Sequence, residues 1–238
     1  MDAQTRSALK KEDVFIHSTQ VGLDWIAENR AKALRIVIAA AVVILLAVAA
    51  VIVYQQRSQA AANAFGSAVS VYSTPIADPA QPAPPGVKTF PTVADRARVS
   101  NPLFEDVAKR YSSTSAGHNA LYFAGLTAAE MGNTNEAEAD FRKVGGLHDA
   151  DLASLAHLAL GNLLAQRGQT SEAIRLYQEL IKNPTSTVPA ATAQLQLAQL
   201  YEASNNSAEA NKIYAQLKAK DLTTAAGQIA AQKLAGQH

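Results

Sequence analysis

The sequence predicts an all-α protein: an N-terminal transmembrane helix followed by a solenoid of helical hairpins. Three observations predict it. Residues 36–54 form an unbroken run of nineteen residues with no charge, glycine or proline. From Ala116 onward, four columns of residues recur in one register across three copies, at offsets of 36 and 37. Alanine, the best helix former, is abundant throughout, while aromatic residues make up only 6%.

Composition removes several function classes. The 238 residues carry a net charge of +1, so there is no bulk basic field to recruit nucleic acid. There is no cysteine, which excludes disulfides, thiolate zinc sites and cysteine nucleophiles.

The elements follow in order. Residues 1–35 form a cytoplasmic segment, polar at first. From residue 14 to 34 a partly amphipathic pattern (Val14, Val21, Trp25) is either a helix lying on the lipid surface or a docking helix for a membrane partner. The run that starts at Ile36 and ends at Tyr54 holds four Ile, six Val, two Leu and six Ala. As a helix it reaches about 28 Å, close to the ~30 Å hydrocarbon core of a bilayer. Its twelve Ile, Val and Leu side chains contribute at most about −4 to −7 kcal/mol to insertion. A buried core helix would keep a polar face, and this run has none. A cleaved signal peptide would have a shorter apolar region and a shorter leader, although Ala60, Ala61 and Ala62 imitate a cleavage site. Arg30, Lys32 and Arg35 precede the run and Arg57 alone follows it. The positive-inside rule then places the N-terminus in the cytoplasm and the rest outside, in a periplasm or its equivalent.

Residues 55–74 continue as a helical stalk or as the first repeat helix, with Ala61, Phe65, Ala68 and Tyr72 on one face. Residues 75–92 hold six of the nine prolines and are expected to form a stiff, extended connecting loop. A helix is expected over residues 93–111, with Pro102 opening its second part. This helix and the stalk could make a degenerate hairpin. The repeat domain spans 93–238 and closes with a capping helix over 223–234.

Each repeat column has a physical reason. Gly125, Gly161 and Ala198 sit midway along a first helix and admit close approach of the second. Gly132, Gly168 and Asn205 lie where the chain must turn, and both residue types tolerate positive φ. Glu136, Glu172 and Glu209 open the second helix at its positive dipole end. Ala137, Ala173 and Ala210 are expected to pack against the preceding small residue. Phe141, Tyr177 and Tyr214, one turn later, are expected to fill the space towards the next hairpin. These columns resemble the tetratricopeptide repeat, which has a small residue at its eighth place, alanine at its twentieth and an aromatic at its twenty-fourth. The copies depart from that pattern in their length, and in holding Leu121, His157 and Gln194 where the family has tryptophan.

No catalytic, cofactor-binding or metal-binding residues are expected. The histidines (His17, His118, His148, His157, His238) lack the i, i+4 spacing of a zinc helix, and no phosphate loop or nucleophile elbow occurs. Asp149-Ala150-Asp151 is expected to start a helix, and Glu136, Glu138 and Asp140 to form a solvated face. The expected task is therefore protein binding by the repeats. The inner positions of the first helices supply a candidate groove: Asn119, Tyr122, Leu158, Asn162, Gln199 and Glu202.

The whole layout is similar to one family. A short cytoplasmic segment with Trp25-Ile26-Ala27-Glu28-Asn29-Arg30 leads to one span and then to an outer repeat domain. This resembles the YfgM-like ancillary subunits of the SecYEG translocon. The resemblance implies contact with translocon subunits, periplasmic chaperones or newly exported chains. The alternative is a scaffold for cell-envelope or division machinery.

Overall fold

The computed structural model describes residues 29–78, 80, 84, 86–220 and 222–236. Most of the stretch expected to form a juxtamembrane helix, including Trp25 to Glu28, lies outside the described residues. The described residues form nine helices and an isolated parallel bridge between Ile76 and Phe90. The helices are α1 (Arg30–Tyr72), α2 (Val93–Arg110), α3 (Ser115–Glu130), α4 (Thr134–Gly145), α5 (Ala150–Gln166), α6 (Thr170–Lys182), α7 (Ala190–Ala203), α8 (Ser207–Lys220) and α9 (Ala225–Ala235). The chain divides into two compact units between Gln56 and Arg57.

In the first unit, α1 contains the apolar run as an uninterrupted helix. It is long and apolar enough to cross a membrane, and none of its most apolar window is buried. Ile36, Val37, Leu45 and Leu46, which point to four sides of the helix, are each more than half exposed. Such a helix has no protein core of its own to face.

The second unit starts within α1. Ala61 is buried, and Ala68, Phe65 and Tyr72 belong to one apolar cluster, so the expected face exists. Their partners are Phe104 and Val107 of α2 and Ala120 and Ala124 of α3. Phe104 stacks on Phe123 at 5.1 Å, and Phe65 and Tyr72 each meet both rings at 5.6–6.0 Å. Several of the scarce aromatics are thus spent on closing the first hairpin, because bulky rings bury the most area per residue.

The proline-rich segment does not run extended from end to end. Ala77 donates to the Phe90 carbonyl at 2.8 Å and Phe90 to the Pro75 carbonyl at 3.0 Å, so the two ends of the loop are tied to each other. Pro102 does not open a second helix either, because α2 runs through it unbroken. Thr92 caps α2 by accepting from the Asp95 amide, and buried Asn101 donates to the Ala124 carbonyl and to Thr127 of α3.

From α3 to α9 each helix packs on the next, and α3, α5 and α7 also touch in sequence. Three turns of one kind make the hairpins. Gly132, Gly168 and Asn205 have φ of 82°, 75° and 58°. The following amides, Asn133, Gln169 and Asn206, donate back to Ala128, Leu164 and Tyr201 at 2.8–2.9 Å. This is the Schellman closure, which satisfies the last carbonyls of the first helix and requires one left-handed residue. At three of the junctions between hairpins a side chain caps the next helix, Thr114 for α3, Asp149 for α5 and Thr224 for α9, whereas α7 starts after Pro189 without one.

The aromatic column points differently from expectation. A Cβ on Gly125 would lie 2.8 Å from the Phe141 ring, and one on Gly161 would lie 2.6 Å from the Tyr177 ring. The glycines therefore receive the aromatics of their own hairpins. Ala137, Ala173 and Ala210 are fully buried alongside. The acidic face is also not simply solvated. Glu138 pairs with Arg142 and Arg167, and Arg142 reaches Glu172 of the next hairpin at 2.9 Å. Asp140 is buried and pairs with Lys143.

Candidate functional site

A groove of about 460 Å³ lies between α5 and α7. Asn162, Ala165 and Gln166 line it from α5, and Gln196, Gln199, Leu200 and Ala203 from α7. Tyr177 of α6 closes its floor. Helical spacing explains the set: 162 and 166 are one turn apart, as are 196 and 199, so each pair shares a face. The Tyr177 hydroxyl donates to Asn162 Oδ1 at 2.7 Å, and burial raises its pKa to about 12. The ring is thus held neutral, and it fixes the amide of Asn162.

The six candidate residues have separate fates. Asn162 and Gln199 are half-buried and meet in this groove. Tyr122 is half-buried with its ring against Phe123 and Phe141, and burial raises its pKa. Leu158 packs on the main core. Asn119 is half-buried on α3, away from the groove. Glu202 accepts from the Tyr214 hydroxyl at 2.9 Å and pairs with Lys233 of α9 at 3.0 Å. Those two bonds, Lys233 foremost, hold its carboxyl below the usual range. Its charge fastens the capping helix. Gln166 and Gln196 line the groove but are missed by the repeat register, although their helical spacing from Asn162 and Gln199 is legible in the chain.

A second groove of about 430 Å³ has a different character. It lies among α2, α3 and α4, where Glu105, Glu136 and Asp140 face Lys109 and Lys143. Burial and then the hydrogen bond with Glu136 raise the pKa of Glu105.

The helix start at Asp149 is a cap, as expected. Asp151 accepts from Ser186 at 2.9 Å and from the Thr187 amide, tying the α6–α7 loop to the start of α5. Among the described residues no group of three or more His, Asp or Glu could hold a metal ion. His157 is half-buried against Gly145, where a Cβ would overlap its Nε2.

Stacked helical hairpins with an open groove between successive first helices define the class: a helical-repeat protein of the kind that binds other proteins. The tetratricopeptide repeat-like domain model matches residues 24–179, more than half of the chain, and a tetratricopeptide repeat model matches residues 192–221. The chain belongs to the tetratricopeptide repeat-like family, whose repeats are protein-interaction modules. No match to the chain is found among curated proteins.

Proposed function

We propose that this chain is a membrane-tethered protein-binding module. It acts at the outer face of the cytoplasmic membrane as an accessory of the Sec translocon. It links the translocon to periplasmic chaperones or exported chains, and it is not an enzyme. The observation that carries the tether is α1: its apolar run is exposed on all sides and needs an apolar solvent. Cleavage of a leader at Ala60 to Ala62 would cut α1 within its packed part, because Ala61 is fully buried. That favours an uncleaved anchor. Orientation rests on Arg30, Lys32 and Arg35 ahead of the run. The translocon reading rests on the resemblance of the whole layout to the YfgM-like subunits.

Two experiments test this. The chain has no cysteine, so Ser112→Cys, at an exposed position, gives a single thiol. Labelling by a membrane-impermeant maleimide in intact spheroplasts is expected, and protection until lysis would reverse the orientation. Photo-crosslinking from position 25 should recover translocon subunits. Recovery of only division or wall-synthesis proteins would replace the translocon by an envelope scaffold.

A further inference from the structure

We infer that one edge of the repeat unit, the edge where Arg57 enters it, docks on the headgroups of anionic phospholipids. The inference goes beyond protein binding and rests only on the membrane tether in the reading above.

From Arg57 to the C-terminus the chain holds as many acids as bases, yet its bases gather at one edge. Antiparallel stacking brings the ends of α2, α4, α6 and α8 to that edge, together with the starts of α3, α5, α7 and α9. There α2 ends on Lys109 and Arg110, α4 on Lys143, α6 on Lys182, and α8 on Lys218 and Lys220. All six are exposed. The helix dipole favours a base at any C-terminal end, so that rule acts on every helix alike. But α3, α5 and α7 end at the opposite edge, and none has a base in its last turn. Only α9 ends there on a base, Lys233, and Glu202 neutralises it. The bases therefore follow the edge and not the helix end. Among the described residues, most acids at the basic edge are committed. Asp149 caps α5, and Asp151 accepts from Ser186 and Thr187. Asp106 and Asp140 pair with Arg110 and Lys143, whose side chains stay more than half exposed, and exposed pairs are weak. Glu179 lies a turn further back on α6.

The chain itself ties this edge to a bilayer. The apolar run ends at Tyr54, and the three residues on to Arg57 reach at most about 11 Å. Arg57 donates from Nη2 to the Arg110 carbonyl at 2.6 Å, so the end of α2 is held close to the point where the chain leaves the lipid. Headgroups fill roughly 5–7 Å on each side of the hydrocarbon core, so Arg57, Lys109 and Arg110 stand within reach of lipid phosphates. Bases close to an anionic leaflet are attracted to it, and the attraction adds from residue to residue. Lys143, Lys182, Lys218 and Lys220 are too far along the chain to count among the flanks of the span. Only the stacking of the hairpins puts them on the same edge as Arg57.

The test uses the full chain in nanodiscs, with a bimane dye on one introduced cysteine and a quenching nitroxide on the lipid headgroups. Ala219→Cys reports the basic edge, and Ser204→Cys, exposed between α7 and α8, reports the opposite one. The lipid is phosphatidylcholine alone, or phosphatidylcholine with about one third phosphatidylglycerol. Quenching at position 219 is expected to be at least about threefold stronger with phosphatidylglycerol, and to lose that gain between roughly 50 and 500 mM salt. Quenching at position 204 should be weak in both lipids. Lys182→Gln, Lys218→Gln and Lys220→Gln together should remove the phosphatidylglycerol effect, with circular dichroism unchanged. Arg98→Gln, Arg175→Gln and Lys212→Gln together, at exposed bases away from this edge, should leave it in place. Equal quenching at 219 in both lipids, quenching that survives the first triple substitution, or stronger quenching at 204 overturns the inference and leaves the tether standing. A chain that elutes apart from the nanodiscs on gel filtration overturns the tether and the inference together.

Discussion

Gly161→Ala isolates the close approach on which the hairpins depend. Alanine is a better helix former than glycine by about 1 kcal/mol, so in open surroundings the change stabilises a helix. At Gly161 the new Cβ would stand 2.6 Å from Tyr177 Cε1, 3.1 Å from Cζ and 3.2 Å from Cδ1. Carbon atoms rest at about 3.5–4.0 Å, so the ring must move by roughly 1 Å. It has little freedom to do so. Tyr177 is 1% exposed, and its hydroxyl is bonded to Asn162. Overpacking of this kind costs about 1–3 kcal/mol, which exceeds the propensity gain over most of its range. Gly66→Ala is the control, because no heavy atom beyond its own neighbourhood lies within 4 Å of its Cβ in α1. Urea unfolding of the full chain in detergent, followed by circular dichroism, should place the Gly161→Ala variant about 1–3 kcal/mol below the Gly66→Ala variant. In a Tyr177→Leu background, which lacks the ring, adding Gly161→Ala should cost little relative to Tyr177→Leu alone. A Gly161→Ala variant as stable as Gly66→Ala would refute the claim that this glycine receives the aromatic of its own hairpin.

Other outcomes follow from single features. Ala173→Leu adds volume at a fully buried position and should lower stability by roughly 1–3 kcal/mol in the same assay. Asn205→Gly relieves a left-handed residue at φ 58° and should raise the urea midpoint, whereas Gly168→Ala, at φ 75°, should cost about 1–2 kcal/mol. Gly117→Ala should be far more damaging than Gly161→Ala, because its Cβ would overlap the Tyr111 carbonyl oxygen and backbone has no rotamer to change. The folded-state pKa of Glu202 is depressed, so its contribution is present above the unfolded value of about 4.3 and is lost as pH falls through the folded one. The protection of α9 amides relative to their intrinsic exchange rate should therefore fall below about pH 4, and Glu202→Gln should show the lower protection at every pH.

What the sequence determined by itself was what depends on local periodicity. A run without a polar face is apolar wherever it folds, so residues 36–54 are legible from residue order alone. A turn that needs positive φ admits few residue types, so Gly132, Gly168 and Asn205 marked the hairpins. Buried alanines at helical spacing identified the core faces. The tertiary structure alone decided which surfaces meet. Gly117 belongs to no repeat column, and its role appears only because α3 starts against the backbone at Tyr111. The proline-rich segment reads as a spacer until Phe90 folds back on Pro75 and Ala77. Glu202 reads as an inner surface residue until Lys233, 31 positions later, takes its charge. Gln196 and Gln199 became a site with Asn162 and Gln166 because two helices 24 residues apart in the chain, α5 ending at Gln166 and α7 starting at Ala190, stack side by side. Periodicity places a residue on a face of its own helix, and only packing between helices says what that face sees.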